Sequence, residues 1–328
     1  MKNLLRGISA LLLCVAAVAL AHGNGAAATA TNNTNTLKVS PVRTSITVQP
    51  GTTGIVKTYV TNLTKSPVII HPIENDFVAG DENGTPSIIL DENSYAPTHS
   101  LKRFMTPLQN VTINAGDTKE IDVSIVVPKT AQAGGYFGAV RYAPATSDNS
   151  QSVNLSASVA SLILMTVPGP TTENLILTNF DIQQYGSTVA TISKPDGVSV
   201  LVRFANKGNL QEAPFGQIYV QKGKKVVYRY NFNQTDPKDY VLPDGARRWT
   251  VPLKGFDKFG KYKVSGTFTY GTKGESVSVS KTIWVIPTGY LIAGGAIIVG
   301  LIVLGILIWL LLRMYKRRII RKSSRRRY

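Results

Sequence analysis

A stretch without any charged residue, Tyr290 to Leu312, constrains this 328-residue chain more than any other feature of its sequence. As a helix rising about 1.5 Å per residue it would be roughly 35 Å long, which is enough to cross a hydrocarbon layer of about 30 Å. Aromatic side chains stand at or near both of its ends, which is typical of membrane interfaces. We therefore predict one transmembrane helix over residues 290–312.

The basic residues that follow this helix indicate which way it crosses the membrane. The formal net charge is +17, and nine of the positive charges lie in the segment 313–328, which has no acidic residue. Positive charge beside a membrane helix stays on the cytoplasmic side, so we predict a single-pass cell-membrane protein with a cytoplasmic tail and extracellular N-terminal domains. This position favours anionic lipid over nucleic acid as the partner of the tail. The tail residues that we expect to contact lipid are Arg313, Lys316, Arg317 and Arg318.

The first 30 residues have the three parts of a secretory signal peptide. Lys2 and Arg6 make the start basic, the segment 8–21 is apolar, and Ala28-Thr29-Ala30 matches the small-x-small pattern of a cleavage site. We predict that residues 1–30 are a signal peptide.

Two rival attachments are disfavoured by local spacing. Cys14, the single cysteine, follows Leu13, whereas lipoprotein processing requires a small residue just before the thiol, so we favour ordinary cleavage and a mature chain without disulfides. Pro287-Thr288-Gly289 lacks one residue of the Leu-Pro-any-Thr-Gly sorting signal. A retained membrane anchor is therefore favoured over covalent attachment to the wall.

Between these two ends, apolar residues recur with a period of two. Ile46 and Val48 precede Pro50-Gly51, and the alternation resumes until Asn62. Such runs predict half-buried strands, and Pro-Gly predicts the turn between them. No twelve-residue window in the segment 31–287 has a helical stripe. The fold class that we predict is all-β, with tandem immunoglobulin-like β-sandwiches.

Pro168-Gly169-Pro170 divides the strand-rich region into segments 31–168 and 171–287, which we predict to be two domains. The same pattern of turn-forming residues at a strand end occurs on both sides of this boundary. IVKTYVTNLTKSP and VLVRFANKGNLQEAP each have an alternating strand, an Asn, a polar turn and a Pro. We therefore expect similar strand ends in the two domains.

The sequence has little that indicates catalysis or metal binding. His71 and His99 are far apart and have no cysteine or Asp-x-His pattern nearby. The acidic pairs in the segments 81–84 and 91–94 fit turns better than a calcium loop or a glycosidase carboxylate pair. Gly-x-Ser-x-Gly and phosphate-binding glycine motifs are absent. We expect a protein that is not an enzyme and that needs no cofactor or metal.

Binding by a β-sandwich requires exposed aromatic residues or an open strand edge. Tyr136, Phe137 and Tyr142 follow Gly134-Gly135 and are candidates for stacking on sugar rings. Their alternative role is in the core, since Tyr and Phe in strands are more often buried. A protein ligand could instead add a strand to a sheet edge.

The order of a signal peptide, two β-sandwiches, one helix and a basic tail resembles that of the WxL-interacting proteins of Gram-positive bacteria. Two segments are similar to that family, LKVSPVRTSITVQPGTTGIVKTYVTN and NVTINAGDTKEIDVSIVVPKTAQAGGYFGAVRY. The resemblance implies that the first domain binds cell wall peptidoglycan and that the second holds surface proteins of the WxL type. The function expected is therefore non-catalytic bridging between wall, membrane and surface proteins. The alternative is a chaperone-like or structural subunit of a membrane-associated surface assembly.

Overall fold

The structure, a computed structural model, describes residues 36–145 and 158–324, with side chains placed as far as Tyr315. The predicted signal peptide, residues 1–30, lies outside the described residues. The side chains of three predicted lipid contacts, Lys316, Arg317 and Arg318, do so as well. The described residues from Leu37 onward form one compact unit.

Nine strands form the first sheet pair. A three-stranded sheet has the order β1-β3-β7 and faces a six-stranded sheet of order β2-β9-β8-β4-β5, in which β6 also pairs with β4. All pairings are antiparallel except that of β2 with β9. The strands are β1 (Leu37–Ser40), β2 (Arg43–Thr47), β3 (Thr53–Asn62), β4 (Val68–Ala79), β5 (Pro86–Ile88), β6 (Val111–Ile113), β7 (Thr118–Val126), β8 (Gly134–Pro144) and β9 (Val159–Val167).

The predicted turn at Pro50-Gly51 carries the chain from one of these sheets to the other. Gly51 has a φ of +76°, which a residue with a Cβ rarely adopts, and its N–H donates to Val127 O at 2.9 Å. After the turn, β3 alternates between exposed and buried residues along its length. Its buried side chains pack with Tyr142 and Met165 from the opposite sheet in a single core. The period of two therefore predicted both the strand and its buried face.

Nine further strands form the second sheet pair. A four-stranded sheet of order β11-β10-β13-β16 faces a five-stranded sheet of order β12-β18-β17-β14-β15. These strands are β10 (Leu175–Gln184), β11 (Ser187–Thr188), β12 (Thr191–Ile192), β13 (Val198–Asn206), β14 (Phe215–Lys222), β15 (Lys225–Phe232), β16 (Ala246–Pro252), β17 (Gly260–Tyr270) and β18 (Glu275–Val285).

The core of the second sheet pair is rich in aromatic rings. Phe268 makes edge-to-face contacts with Phe204 and Phe232, at centroid distances of 5.4 and 5.0 Å. Tyr228 and Tyr230 are half-buried against the same core, so the face of β15 that they share with Phe232 points inward. Burying these rings supplies much of the hydrophobic stabilisation of a chain segment that has no cysteine.

A long helix, α1 (Thr288–Ser324), follows β18. Its segment Thr288–Tyr315 has a mean hydropathy of 3.0 over its most apolar window, none of which is buried against the rest of the protein. The predicted segment 290–312 lies inside α1. The coarse prediction, a mostly β fold with one C-terminal apolar helix, is confirmed.

The division into separate domains stays a prediction. The boundary at residues 168–170 does fall between the last strand of the first sheet pair and the first strand of the second. However, a third apolar cluster lies between the two pairs. In that cluster Tyr240 and Leu242 pack on Phe77, Phe137 and Leu164.

Candidate binding cleft between the two sheet pairs

A turn of the first sheet pair is joined to the second sheet pair by hydrogen bonds. Arg203 donates to both carboxylate oxygens of Glu82, at 2.6 and 3.0 Å, and this bidentate pairing lowers the pKa of Glu82. The amide of Arg248 donates to Glu82 O at 2.6 Å. Since residues 81–84 had been predicted only as a turn, the pairing with the second sheet pair is a finding of the structure.

That turn has the predicted chemistry. Asp81 Oδ1 accepts hydrogen bonds from the amides of Thr85 and Asn83, at 2.9 and 3.0 Å, and these bonds, that from Thr85 most of all, lower its pKa. Asp91 accepts from the amide of Asn93 at 2.9 Å in the same way. In the part of the chain that the structure describes, no three His, Cys, Asp or Glu side chains converge on a possible metal position.

A second connection lies at the start of β8 and explains Gly134-Gly135. The amide of Gly135 donates to Asn209 O at 2.8 Å, and Asn209 Nδ2 donates to Ala133 O at 2.9 Å. A Cβ on Gly135 would come within 2.5 Å of Gln211 Oε1. The glycines therefore allow the backbone of the second sheet pair to approach β8 closely.

Beside this connection lies an open cleft of about 460 Å³, which is formed by the first sheet pair except for Asn209 of the second. Tyr136 and Phe104 lie 5.0 Å apart between ring centroids and form its aromatic part. His99 is held by a 2.6 Å contact between its Nδ1 and Gly135 O, and since a carbonyl only accepts, Nδ1 carries the proton. The cleft is lined by residues 96–100, Arg103, Phe104, residues 132–136 and Asn209.

One of the three predicted ligand-binding residues lines this cleft, and two are interior. Tyr136 is half-buried, and its hydroxyl donates to Gln132 O at 2.9 Å. Phe137 is 3% exposed and Tyr142 is 0% exposed. The expectation that Phe137 and Tyr142 form a sugar-stacking surface is therefore corrected, because a ring without exposed area has no face to offer a ligand.

The reason is strand alternation at the centre of a sheet. Tyr142 points into the core of the first sheet pair, where its hydroxyl lies 2.5 Å from Thr58 Oγ1 and burial raises its pKa to about 12. Phe137 points to the other face of β8, where the second sheet pair covers it. The core alternative that the sequence left open is the one that applies to both rings.

Sequence reasoning did not identify Arg103, Phe104 or Asn209 as neighbours of Tyr136. Arg103 and Phe104 are adjacent and Asn209 lies in a different segment, and no spacing pattern joins either segment to Tyr136. Asn209 belongs to the turn that follows β13, which the sequence predicted as a turn without indicating what it would contact. The predicted lipid contact Arg313 lies in α1, 5.2 Å from the ring centroid of Trp309.

No protein-family model matches the sequence, and no curated protein is similar to it. Several solved structures are weakly similar. The class 5 fimbriae chaperone CfaA is 11% identical, over 76% of this chain and 99% of that one, with a TM-score of 0.38. The Escherichia coli chaperone DraB is 13% identical, over 76% and 96%, with a TM-score of 0.34.

The third similar structure is the CsuC–CsuE chaperone–tip adhesion subunit complex of Acinetobacter baumannii. It is 10% identical over 77% of this chain and 99% of that one, with a TM-score of 0.36. With TM-scores below 0.5, these similarities carry no conclusion about function.

Proposed function

We propose that this chain is a non-catalytic cell-surface protein that α1 anchors in the cell membrane and that binds cell wall peptidoglycan in the cleft at Tyr136. The cleft is the observation that carries the proposal. Its volume is within the range of about 300–1,000 Å³ that ligand sites usually have. The first of the two tandem immunoglobulin-like domains, residues 31–168, would then supply all of the lining residues except Asn209, which belongs to the second, residues 171–287.

The chemistry of the cleft suits a glycan with amide and carboxylate groups. Tyr136 and Phe104 offer apolar ring surface, against which the C–H face of a sugar ring packs. Arg103 and Gln132 are exposed and supply donors for amide and carboxylate oxygens. Among the described residues that line the cleft there is no Asp or Glu, so no acidic side chain faces an anionic ligand there.

The anchor is supported by the length and exposure of α1. Its 28-residue apolar segment would be about 42 Å long at 1.5 Å per residue, longer than a hydrocarbon core of about 30 Å. The basic tail would lie in the cytoplasm, with Arg313, Lys316, Arg317 and Arg318 near anionic lipid. The extracellular region would then be held between the membrane and the wall.

Sedimentation of the detergent-solubilised full chain with purified, insoluble peptidoglycan tests this function. We expect saturable pelleting that Tyr136→Ala and Gln132→Ala both weaken. Tyr59→Ala is the matched control, because Tyr59 is 40% exposed on the outer face of the three-stranded sheet, away from the cleft. Full-strength pelleting by both cleft variants, at unchanged thermal stability, would contradict the assignment of the site.

A second candidate function, a chaperone-like or structural subunit, is favoured by the edge of the five-stranded sheet. Among the described strands, β15 pairs with β14 alone, and it exposes Val226 and Val227. An open edge of this kind accepts an extra strand from a protein partner. If Val226→Lys and Val227→Lys abolish binding to a surface protein while peptidoglycan pelleting persists, the edge is the functional site for that partner.

A further inference from the structure

Backbone hydrogen bonds join the start of α1 and the residues just before it to the second sheet pair. The amide of Ile286 donates to Ile192 O at 2.8 Å, and the amide of Thr288 donates to Ser193 O at 3.2 Å. These two bonds fix where the helix begins relative to the sheets.

Three loops surround this exit point. Ile192 pairs with Val285, which places the loop of residues 185–197, with its two-residue strands β11 and β12, beside the end of β18. Gly260 also pairs with Val285, so the 253–260 loop is adjacent. Lys222 pairs with Tyr262 and donates to Phe259 O at 2.9 Å, which brings in the 222–225 turn. We call these three loops, together with Lys261, Trp284 and Tyr290, the basal end.

The basal end exposes aromatic rings that are in contact with the first turn of α1. The ring of Phe259 lies 5.5 Å from that of Tyr290 and 6.2 Å from that of Trp284. All three are between 47% and 61% exposed, although each is large and apolar. Exposed aromatic clusters of this kind mark a surface that is covered by a partner or a membrane interface.

The same surface carries an excess of positive charge. Its acidic residues are Asp196 and Asp257, both exposed. Its basic residues are Lys194, Lys222, Lys224, Lys225, Lys254, Lys258 and Lys261, all exposed except the half-buried Lys222.

We propose that the basal end is a lipid-contact surface that seats the second sheet pair on the phosphate headgroups of anionic lipids in the outer leaflet. This inference rests on the proposed membrane anchor. Tyr290 is in the first turn of α1, so it lies at headgroup depth if the helix crosses the bilayer. Phe259 contacts Tyr290 and must then lie near the same depth, with the lysines around it facing the phosphates.

The full chain reconstituted in lipid nanodiscs, with Cys14→Ser to make one label unique, allows a direct test. Lys224→Cys places a nitroxide at the basal end. Lys273→Cys is the matched control, because Lys273 is an exposed lysine in the β17–β18 hairpin at the opposite end of the same sheet. Val303→Cys reports on the anchor itself. Collision with a water-soluble nickel complex is measured for each label in phosphatidylglycerol and in phosphatidylcholine nanodiscs.

We expect several-fold lower nickel collision at position 224 than at position 273 in the anionic discs, and a smaller difference in the zwitterionic discs. Equal collision at these two positions, with position 303 protected, overturns the lipid-contact surface and leaves the anchor intact. Accessible label at position 303 overturns the anchor itself.

The alternative occupant is an anionic wall polymer, which also presents phosphate groups. Protection of position 224 that appears only after soluble poly(glycerol phosphate) is added would overturn the inference in favour of that polymer. If position 224 is protected from the nickel complex equally in both kinds of disc, the proposal that the basal end recognises anionic headgroups is overturned. Lys224→Gln, Lys225→Gln and Lys258→Gln together, with the label moved to Lys254→Cys, should reduce the difference between the discs.

Discussion

Strand β3 of the first sheet pair and strand β13 of the second end in the same way, but the turns that follow them differ. β3 ends at Asn62 and β13 ends at Asn206, both fully buried. Asn62 Nδ2 donates to Ser66 O, four residues ahead, at 2.8 Å, and its Oδ1 accepts from the amide of Thr64 at 2.9 Å. The side chain thus holds the following turn from inside.

Asn206 makes the corresponding bonds. It donates to Leu210 O at 2.7 Å, again four residues ahead, and accepts from the amide of Gly208 at 2.9 Å. Each Asn also reaches a distant segment, since Asn62 donates to Ile113 O at 3.1 Å and Asn206 to Val241 O at 2.9 Å. A buried amide that satisfies several backbone groups explains why Asn ends both strands.

The turns that follow differ in what surrounds them. After Asn206, Asn209 connects to the first sheet pair, and Glu212 is buried. After Asn62, the corresponding third position is Lys65, which is exposed. The buried Asn therefore holds the strand end in both sheet pairs. The turn after Asn206 has additional residues that join the two sheet pairs and bury a carboxyl group.

The largest effect is expected from removing either Asn. Asn62→Ala and Asn206→Ala should each lower the free energy of unfolding by about 4 kcal/mol, because several buried carbonyls and an amide lose their partner. Urea unfolding of the full chain in detergent measures this, with the exposed Asn231→Ala as control. A large loss at one position and none at the other would break the comparison.

A smaller effect on the free energy of unfolding is expected from Glu212, which lies in the second sheet pair, and it should be seen at high pH. Burial, and then the nearby charge of Glu173 and that of Glu275, raises the pKa of Glu212 to about 7, against an opposing hydrogen bond from the amide of Gly271. A carboxyl with a raised folded-state pKa stabilises the fold fully below its unfolded pKa, near 4.5, and this contribution is lost as the pH rises through 7. The loss by pH 8 is on the order of 3 kcal/mol.

Glu212→Gln should therefore flatten the fall in stability between pH 4.5 and 7 and leave the variant more stable than the parent at pH 8. Thermal unfolding at several pH values measures this. Asp257→Asn, at an exposed position, is the control. An unchanged pH profile for Glu212→Gln would show that the carboxyl is not responsible.

The smallest effect on stability is expected at the third residue after each buried Asn, which is Asn209 after Asn206 and Lys65 after Asn62. Asn209→Ala removes the bond to Ala133 O and the 2.8 Å bond that Asn209 Oδ1 accepts from the amide of Thr172, so it should cost about 1 kcal/mol. Lys65→Ala should leave stability unchanged within about 0.5 kcal/mol, as at other exposed sites. Equal effects in urea unfolding would mean that the second turn does not join the sheet pairs energetically.

The sequence alone determined the local structure. Alternation with a period of two, together with Pro-Gly and Asn, was enough to predict β3, its turn and its end, because side chains point to opposite faces of every strand. The charge-free stretch 290–312 predicted the apolar helix, because its length and composition satisfy a purely local requirement. The aspartates of the segments 81–84 and 91–94 were predicted to form turns for the same reason, since their hydrogen bonds span two to four residues.

Contacts between distant segments were decided by the tertiary structure. The alternation put Phe137 and Tyr142 on opposite faces of β8, but which faces would be covered depended on the second sheet and the second sheet pair. Arg203 and Glu82 form a hydrogen-bonded ion pair although they are 121 residues apart, and no sequence pattern in either segment predicts that the two residues meet. A candidate cleft made from several loops has no periodicity of its own, so its residues became neighbours only through tertiary packing, mostly within the first sheet pair, with Asn209 added by the second.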